Sequence, residues 1–192
     1  MDRVYFSAWL RGFTQHNMLV SLEKLLRLLP YSRLRPEATL TIHAVSYAEP
    51  PIFERRFEGA PEAQEVVALC REFDNPDCAY QLETYWDLLL RDEHTGEWKL
   101  QPAPVSLTIF APLFESELGE QLAVDFGLDS GFLPEGDDRG ELMAVQSNIR
   151  SLLHLTTDIA RNTTIEKKTL WSESGENLAA RLEETLARLN DE

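Results

Sequence analysis

Basic residues are scarce in this 192-residue chain: 18 lysines and arginines stand against 33 acids, a formal net charge of −15. Affinity for a polyphosphate comes mainly from cationic side chains that displace its counterions, so this balance excludes nucleic acid as an expected partner. Anionic membrane surfaces are excluded on the same ground. No uncharged run approaches the roughly 18 apolar residues that a membrane span requires. The longest, residues 100–114, carries Gln101 and three prolines. The first residues show no basic segment leading into an apolar one, so a cytoplasmic location is the expectation. Cysteine is nearly absent too. Cys70 and Cys78 supply neither a disulfide framework nor zinc-ligand spacing, and they read as buried reduced thiols.

Catalytic signatures are missing as well. There is no Gly-x-Ser-x-Gly elbow and no glycine-rich phosphate loop, and His16, His43, His94 and His154 share no metal-ligand spacing. No cofactor, metal centre or catalytic residue is therefore expected.

What the chain does have is an alternation between two hydrophobic periods. Residues 4–10 alternate with period 2, and residues 17–29 place Met18, Leu19, Leu22, Leu25, Leu26 and Leu29 on one helical stripe, with Asn17 as N-cap and Pro30 as the stop. Two more period-2 stretches, 40–47 and 52–57, precede a second helical stripe over 62–73 made by Ala63, Val66, Val67, Cys70 and Phe73. A long alternating run over 80–91 closes the series. The order βαββαβ resembles a ferredoxin-like sandwich, a sheet with helices on one face and the other face free.

Residues 97–192 read as ββαβα. Trp98–Leu100 returns as a hairpin partner, Pro102 and Pro104 break the pairing, and residues 105–111 and 122–128 form two further strands. Residues 141–161 are the longest helix, with Leu142, Val145, Ile149, Leu152, Leu153, Thr156 and Ile159 inward. A strand over 164–171 leads to a last helix carrying Leu178, Leu182, Leu186 and Leu189. The fold class is thus α+β with an antiparallel-rich sheet and helices mainly on one face. Residues 1–96 form the ferredoxin-like part, and residues 97–192 are packed against it or continue its sheet as one compact unit.

Alternation sorts strand residues onto two faces. Val4, Phe6, Ala8, Leu10, Leu40, Ile42 and Ala44 belong under the helices. Tyr5, Ser7, Trp9, Arg11, Thr41, His43, Val45, Tyr47, Gln81, Glu83, Tyr85, Asp87 and Arg91 belong on the free face. In the usual ferredoxin-like strand order the fourth strand lies beside the first, which sets Tyr85 and Asp87 close to Trp9. Trp9, His43, Tyr47, Tyr85 and Asp87 are accordingly the candidate ligand-binding residues, and His43 beside Glu83 or Asp87 is the pairing a general base needs. Large aromatics on a sheet are usually buried, so the competing expectation is that residues 97–192 or a second copy covers this face.

Two other regions attract notice. Residues 115–141 hold nine acids opposed only by Arg139. Asp125, Asp129, Asp137 and Asp138 could offer oxygens to a divalent cation, but a solvated acidic loop, with Asp125 pointing outward from a strand, accounts for them. Ser172, Ser174, Gly175 and Asn177 resemble an anion-binding helix start, yet Glu173 and Glu176 already bring negative charge there, so a self-capped helix is the expectation. Trp171 reads as an anchor for that helix. The function expected is non-catalytic binding, through a protein partner or self-association, using the acidic surface and the aromatic sheet face; a basic partner is allowed. The alternative is a small-molecule enzyme or sensor with its pocket on that face.

Overall fold

Every period-2 segment becomes part of one sheet. The structure, a computed structural model, describes residues 2–136, 138–175 and 177–188. Asp137, Glu176 and Leu189 lie outside them. The strands are β1 (Arg3–Leu10), β2 (Ala38–Ala44), β3 (Phe53–Phe57), β4 (Cys78–Arg91), β5 (Trp98–Phe110), β6 (Leu122–Leu128) and β7 (Ile165–Ser172). The helices are α1 (Gln15–Leu26), α2 (Ala63–Arg71), α3 (Arg139–Asn162) and α4 (Leu178–Ala187). The seven strands lie in the order β3-β2-β4-β5-β6-β1-β7, each antiparallel to its neighbours.

That order does not place β4 beside β1. β4 is flanked by β2 and β5, and β1 by β6 and β7. The reason lies in the hairpin after Arg91. A short loop closes at little entropic cost, and β5 folds straight back on β4 in unbroken register from Arg91↔Trp98 to Ala79↔Phe110. The edge of β4 that β1 would need is thereby filled. β5, β6 and β7 extend the first sheet instead of building another.

Pro102 and Pro104 do not interrupt β5; they pair with Asp87 and Tyr85. The carbonyl of Pro104 faces β6, where a Cβ on Gly127 would lie 3.3 Å from it. A strand residue's N and O point to the same side, so the missing proline N–H is on the side away from β4 and costs that ladder nothing.

The four helices share one face. Met18, Leu22, Leu25, Val66, Cys70, Val145, Ile149, Leu152, Leu178 and Leu182 join Val4, Phe6, Leu40, Ile42, Leu82, Trp86, Leu107 and Val124 in a single core. Leu153 is the exception to the expected stripe and is 38% exposed. α1 starts earlier than the leucine pattern indicates. Its N-cap is Thr14, and Asn17 serves from the first turn: its Oδ1 accepts from the Thr14 amide at 3.0 Å and its Nδ2 donates to Gly12 O at 2.8 Å. β2 ends sooner than its hydrophobic pattern, because Val45 takes φ +67° and turns the chain out of the sheet.

Candidate functional site on the uncovered sheet face

The residues of the second half add strands and helices to the first half's layers, and among the described residues no helix lies on the opposite face. Register fixes what that face presents. One row crosses all seven strands as Arg56, Thr39, Glu83, Ser106, Asp125, Tyr5 and Trp171. The adjacent row reads Glu54, Thr41, Gln81, Thr108, Ala123, Ser7 and Thr169. The centre of the face is therefore a floor of small polar side chains, and large groups stand at its margins.

His43 and Tyr47 meet at one margin. Val45 is held in its left-handed turn by its amide donating to Asp77 O at 2.7 Å and its carbonyl accepting from the Glu115 amide at 3.0 Å. The turn returns Tyr47 over the sheet, edge-on to His43 (4.9 Å between centroids), Phe114 (5.3 Å) and Phe110 (6.2 Å). Phe110, Phe114 and Ala79 form a small second core beneath it. Tyr47 remains 47% exposed. Burial of its inner part, opposed by a hydrogen bond with Thr108, pushes the phenol up to about 12. His43 Nδ1 is buried and makes no hydrogen bond.

Trp9 belongs to the far margin. Lys167 of β7 lies over its ring, 4.4 Å from the centroid. Nearby, Trp171 stacks on Tyr5 at 4.6 Å and donates its indole N–H to Ser7 Oγ at 3.1 Å. Trp171 thus stands on the face opposite α4 and does not anchor that helix. Its register partner Tyr5 is on the odd-numbered, free side of β1, which decides the matter.

Tyr85 and Asp87 are engaged with the segment before β2. The Arg35 guanidinium stacks 4.0 Å from the Tyr85 ring centroid, and Asp87 accepts from Ser32 Oγ and from the Arg33 amide (2.9 Å). The Ser32 amide donates to Tyr85 O at 2.7 Å, so this segment prolongs the ladder along β4 above β2. The five candidate residues consequently form three separate groups. β2 and β1 are four strand spacings apart, roughly 19 Å, which keeps His43 from Trp9. Nor does a histidine–carboxylate pair form. His43 is in register with Ala79, so Glu83 sits four residues along β4, about 13 Å away.

A depression of about 180 Å³ opens on the face where β2, β4 and β5 meet, and sequence reasoning did not single it out. Arg3, Arg35, Arg56, Glu83, Tyr85 and Ser106 line it. Arg3 is bound by Asp125, with Nη2 at 2.6 Å and Nε at 2.8 Å from Oδ2, and Arg35 pairs with Glu37. Of the three arginines only Arg56 is placed there by strand register; Arg35 precedes β2, and Arg3 reaches in from β1 beyond β6, so no local signal in the sequence joins them.

The acidic stretch splits. Residues 115–120 border the Tyr47 margin, while Asp129 and Asp138 lie beyond the other end of β6, seven residues and about 23 Å away. Its members have structural work. Asp125 holds Arg3 and accepts from the Gly127 amide (2.8 Å), Asp129 accepts from the Asp2 amide (3.2 Å), and Asp138 caps α3 through the Glu141 amide (3.0 Å). Among the described residues no three His, Cys, Asp or Glu side chains gather as ligands. Asn177 caps α4 by accepting from the Ala180 amide (3.2 Å), and Glu173 turns away to Tyr5 and the Arg3 amide. Cys70 and Cys78 are free and buried, and burial pushes the Cys70 thiol up to about 12. No described helix is long and apolar enough to cross a membrane.

No family model matches the chain, and neither a curated protein nor a solved structure is significantly similar to it.

Proposed function

We propose that this chain is a non-catalytic binding protein whose working surface is the uncovered face of its sheet, and that the partner is a protein with an apolar contact patch and a basic rim. The observation that carries this reading is the Tyr47 margin. There an exposed aromatic, propped on His43, Phe110 and Phe114, sits beside the exposed acids Glu115 and Glu117. Aromatic groups rimmed by charge are the composition of interface centres. Seven strands at about 4.8 Å and a height of about 20 Å give the face a footprint of roughly 670 Å², the scale of one partner's side of a standard interface. Ser7, Thr41, Ser106 and Thr108 at its centre are buried between their neighbours, so a partner meets the larger side chains around them.

The test replaces Tyr47 with the photo-crosslinker p-benzoylphenylalanine, with Val20, exposed on α1, as the control position. Irradiation in cells that produce the protein is expected to give one defined adduct from position 47 and none from position 20. Glu115→Lys with Glu117→Lys is expected to suppress it. An adduct of doubled mass identifies a second copy as the partner. Equal labelling at both positions, or none at 47, refutes the proposal.

A further inference from the structure

Arg56 and Glu83 carry opposite charges in one row of the open face and yet do not pair. Both are exposed, and both flank Thr39 of β2 from its two sides. Two strand spacings, about 10 Å, separate their backbones. Neither side chain makes an ion pair or hydrogen bond among the described residues, whereas the neighbouring Arg3 and Arg35 are matched by Asp125 and Glu37. The depression is thus left with one unmatched cation and one unmatched anion, with the Thr39 and Ser106 side chains also in its lining.

A simple anion entering this hollow meets Glu83 and the field of a protein of charge −15; a simple cation meets Arg56. A second copy of the chain could set Arg56 against Glu83 only with a two-fold axis over β2. Because β3 is an edge strand, such a contact overlaps three strands, about 290 Å² of sheet, well below what a stable dimer needs. The hollow's 180 Å³ is also smaller than the pockets that hold drug-sized ligands.

We propose that this depression binds a small zwitterion, an amino-carboxylate whose carboxylate meets Arg56 and whose ammonium meets Glu83. An arginine fork suits a carboxylate, and a glutamate accepts the ammonium donors. Both charges are exposed, so binding lies in the millimolar range and weakens with salt. The inference shares with the proposed function the openness of the sheet face, but it needs no protein partner.

The test follows backbone amides of the isotopically labelled full chain by NMR at low salt. The probes are glycine, β-alanine, 4-aminobutanoate and 6-aminohexanoate, a series graded in charge separation, with butyrate and butylammonium as single-charge controls. At least one zwitterion is expected to shift the amides of Thr39, Arg56, Glu83 and Ser106, with both controls at least tenfold weaker. Arg56→Gln and Glu83→Gln should each weaken it at least fivefold while the remaining spectrum stays unchanged. If a variant does not fold, the salt dependence of the unaltered chain decides: binding unaffected by high salt overturns the proposal. So does the failure of every zwitterion, a control that matches the best of them, or binding that survives both substitutions. Crosslinking at Tyr47 without zwitterion binding defeats this inference alone; zwitterion binding without crosslinking defeats only the protein-partner reading.

Discussion

Asn148 of α3 is the strand partner that Leu89 of β4 otherwise lacks. β2 pairs with β4 only up to Thr84 and the segment before β2 adds one further bond at Tyr85, so beyond Asp87 that edge of β4 has no neighbouring strand. Asn148 accepts from the Leu89 amide at 2.9 Å and donates to the Leu89 carbonyl at 2.8 Å. The other amide hydrogen goes to Gly131 O at 2.8 Å. One side chain thereby closes the exposed edge and fastens the long helix across it.

Asn148 is 2% exposed, so Asn148→Leu leaves the buried Gly131 carbonyl and the part-buried Leu89 amide and carbonyl without partners. At about 1–3 kcal/mol for an unsatisfied group, and with partial relaxation, a loss of about 3 kcal/mol is expected. Urea denaturation measures it. A loss below about 1 kcal/mol would show that the edge is satisfied in another way.

Val45 is a β-branched residue at φ +67°, a conformation that costs an ordinary L residue roughly 1–2 kcal/mol. Its side chain is exposed, so little packing is lost by removing it. Val45→Gly relieves the strain but adds about 0.5–1 kcal/mol of unfolded-state entropy. A net rise in melting temperature of about 1–4 °C is expected by calorimetry. A fall would mean that the turn is held by the valine side chain.

Tyr5, Tyr31 and Tyr47 are pushed up from 10.0 to about 12, chiefly by burial, and Tyr80 is raised further. Cys70 rises from 9.0 to about 12 for the same reason. The folded state holds these protons more tightly than the unfolded one. Their contribution is therefore complete below about pH 9 and is lost as pH climbs toward 12. Urea midpoints are expected to be level between pH 7 and 9 and to drop steeply above 10, with tyrosinate absorbance appearing as the protein unfolds. Ionisation of Tyr5, Tyr31, Tyr47 or Tyr80 near pH 10 in the folded protein would contradict this.

Asp92 organises the β4–β5 turn. Lys99, the Thr95 and His94 amides and the Thr95 hydroxyl converge on its carboxylate and hold it well below the usual carboxylate range. Lowering of a carboxyl pKa stabilises the fold above the ordinary aspartate range and stops doing so as pH falls through the depressed value. Carboxyl NMR should find Asp92 still ionised at pH 3. Asp92→Asn should speed hydrogen exchange at Thr95 and Gly96, and unaltered exchange would remove Asp92 from this role.

The strands and helices were legible because each depends on near neighbours. Alternation in Val4, Phe6 and Ala8 assigns a face whatever lies alongside, and the stripe Leu178–Leu182–Leu186 does the same for α4. Pro102 and Pro104 misled because a proline in a strand is judged by which side its nitrogen faces, and that is set by the partner strands. Asn148 left one trace, a polar residue beside Val145, Ile149 and Leu152 on the buried stripe. Trp171 was assigned to the helix because its neighbour in sequence is α4, while its neighbour in space is Tyr5.

The scarcity of bases, the periods of the segments and the split of each strand into two faces were determined by the sequence itself. They are properties of composition and of residues two to four places apart. Only the tertiary structure decided which strand lies beside which. Strand order is settled by long-range pairing, here by a hairpin that occupies the edge of β4 a ferredoxin-like order would give to β1. That choice separates Trp9, His43 and Tyr85 into three groups, and it brings Arg56 and Glu83, 27 positions apart in sequence, to either side of Thr39.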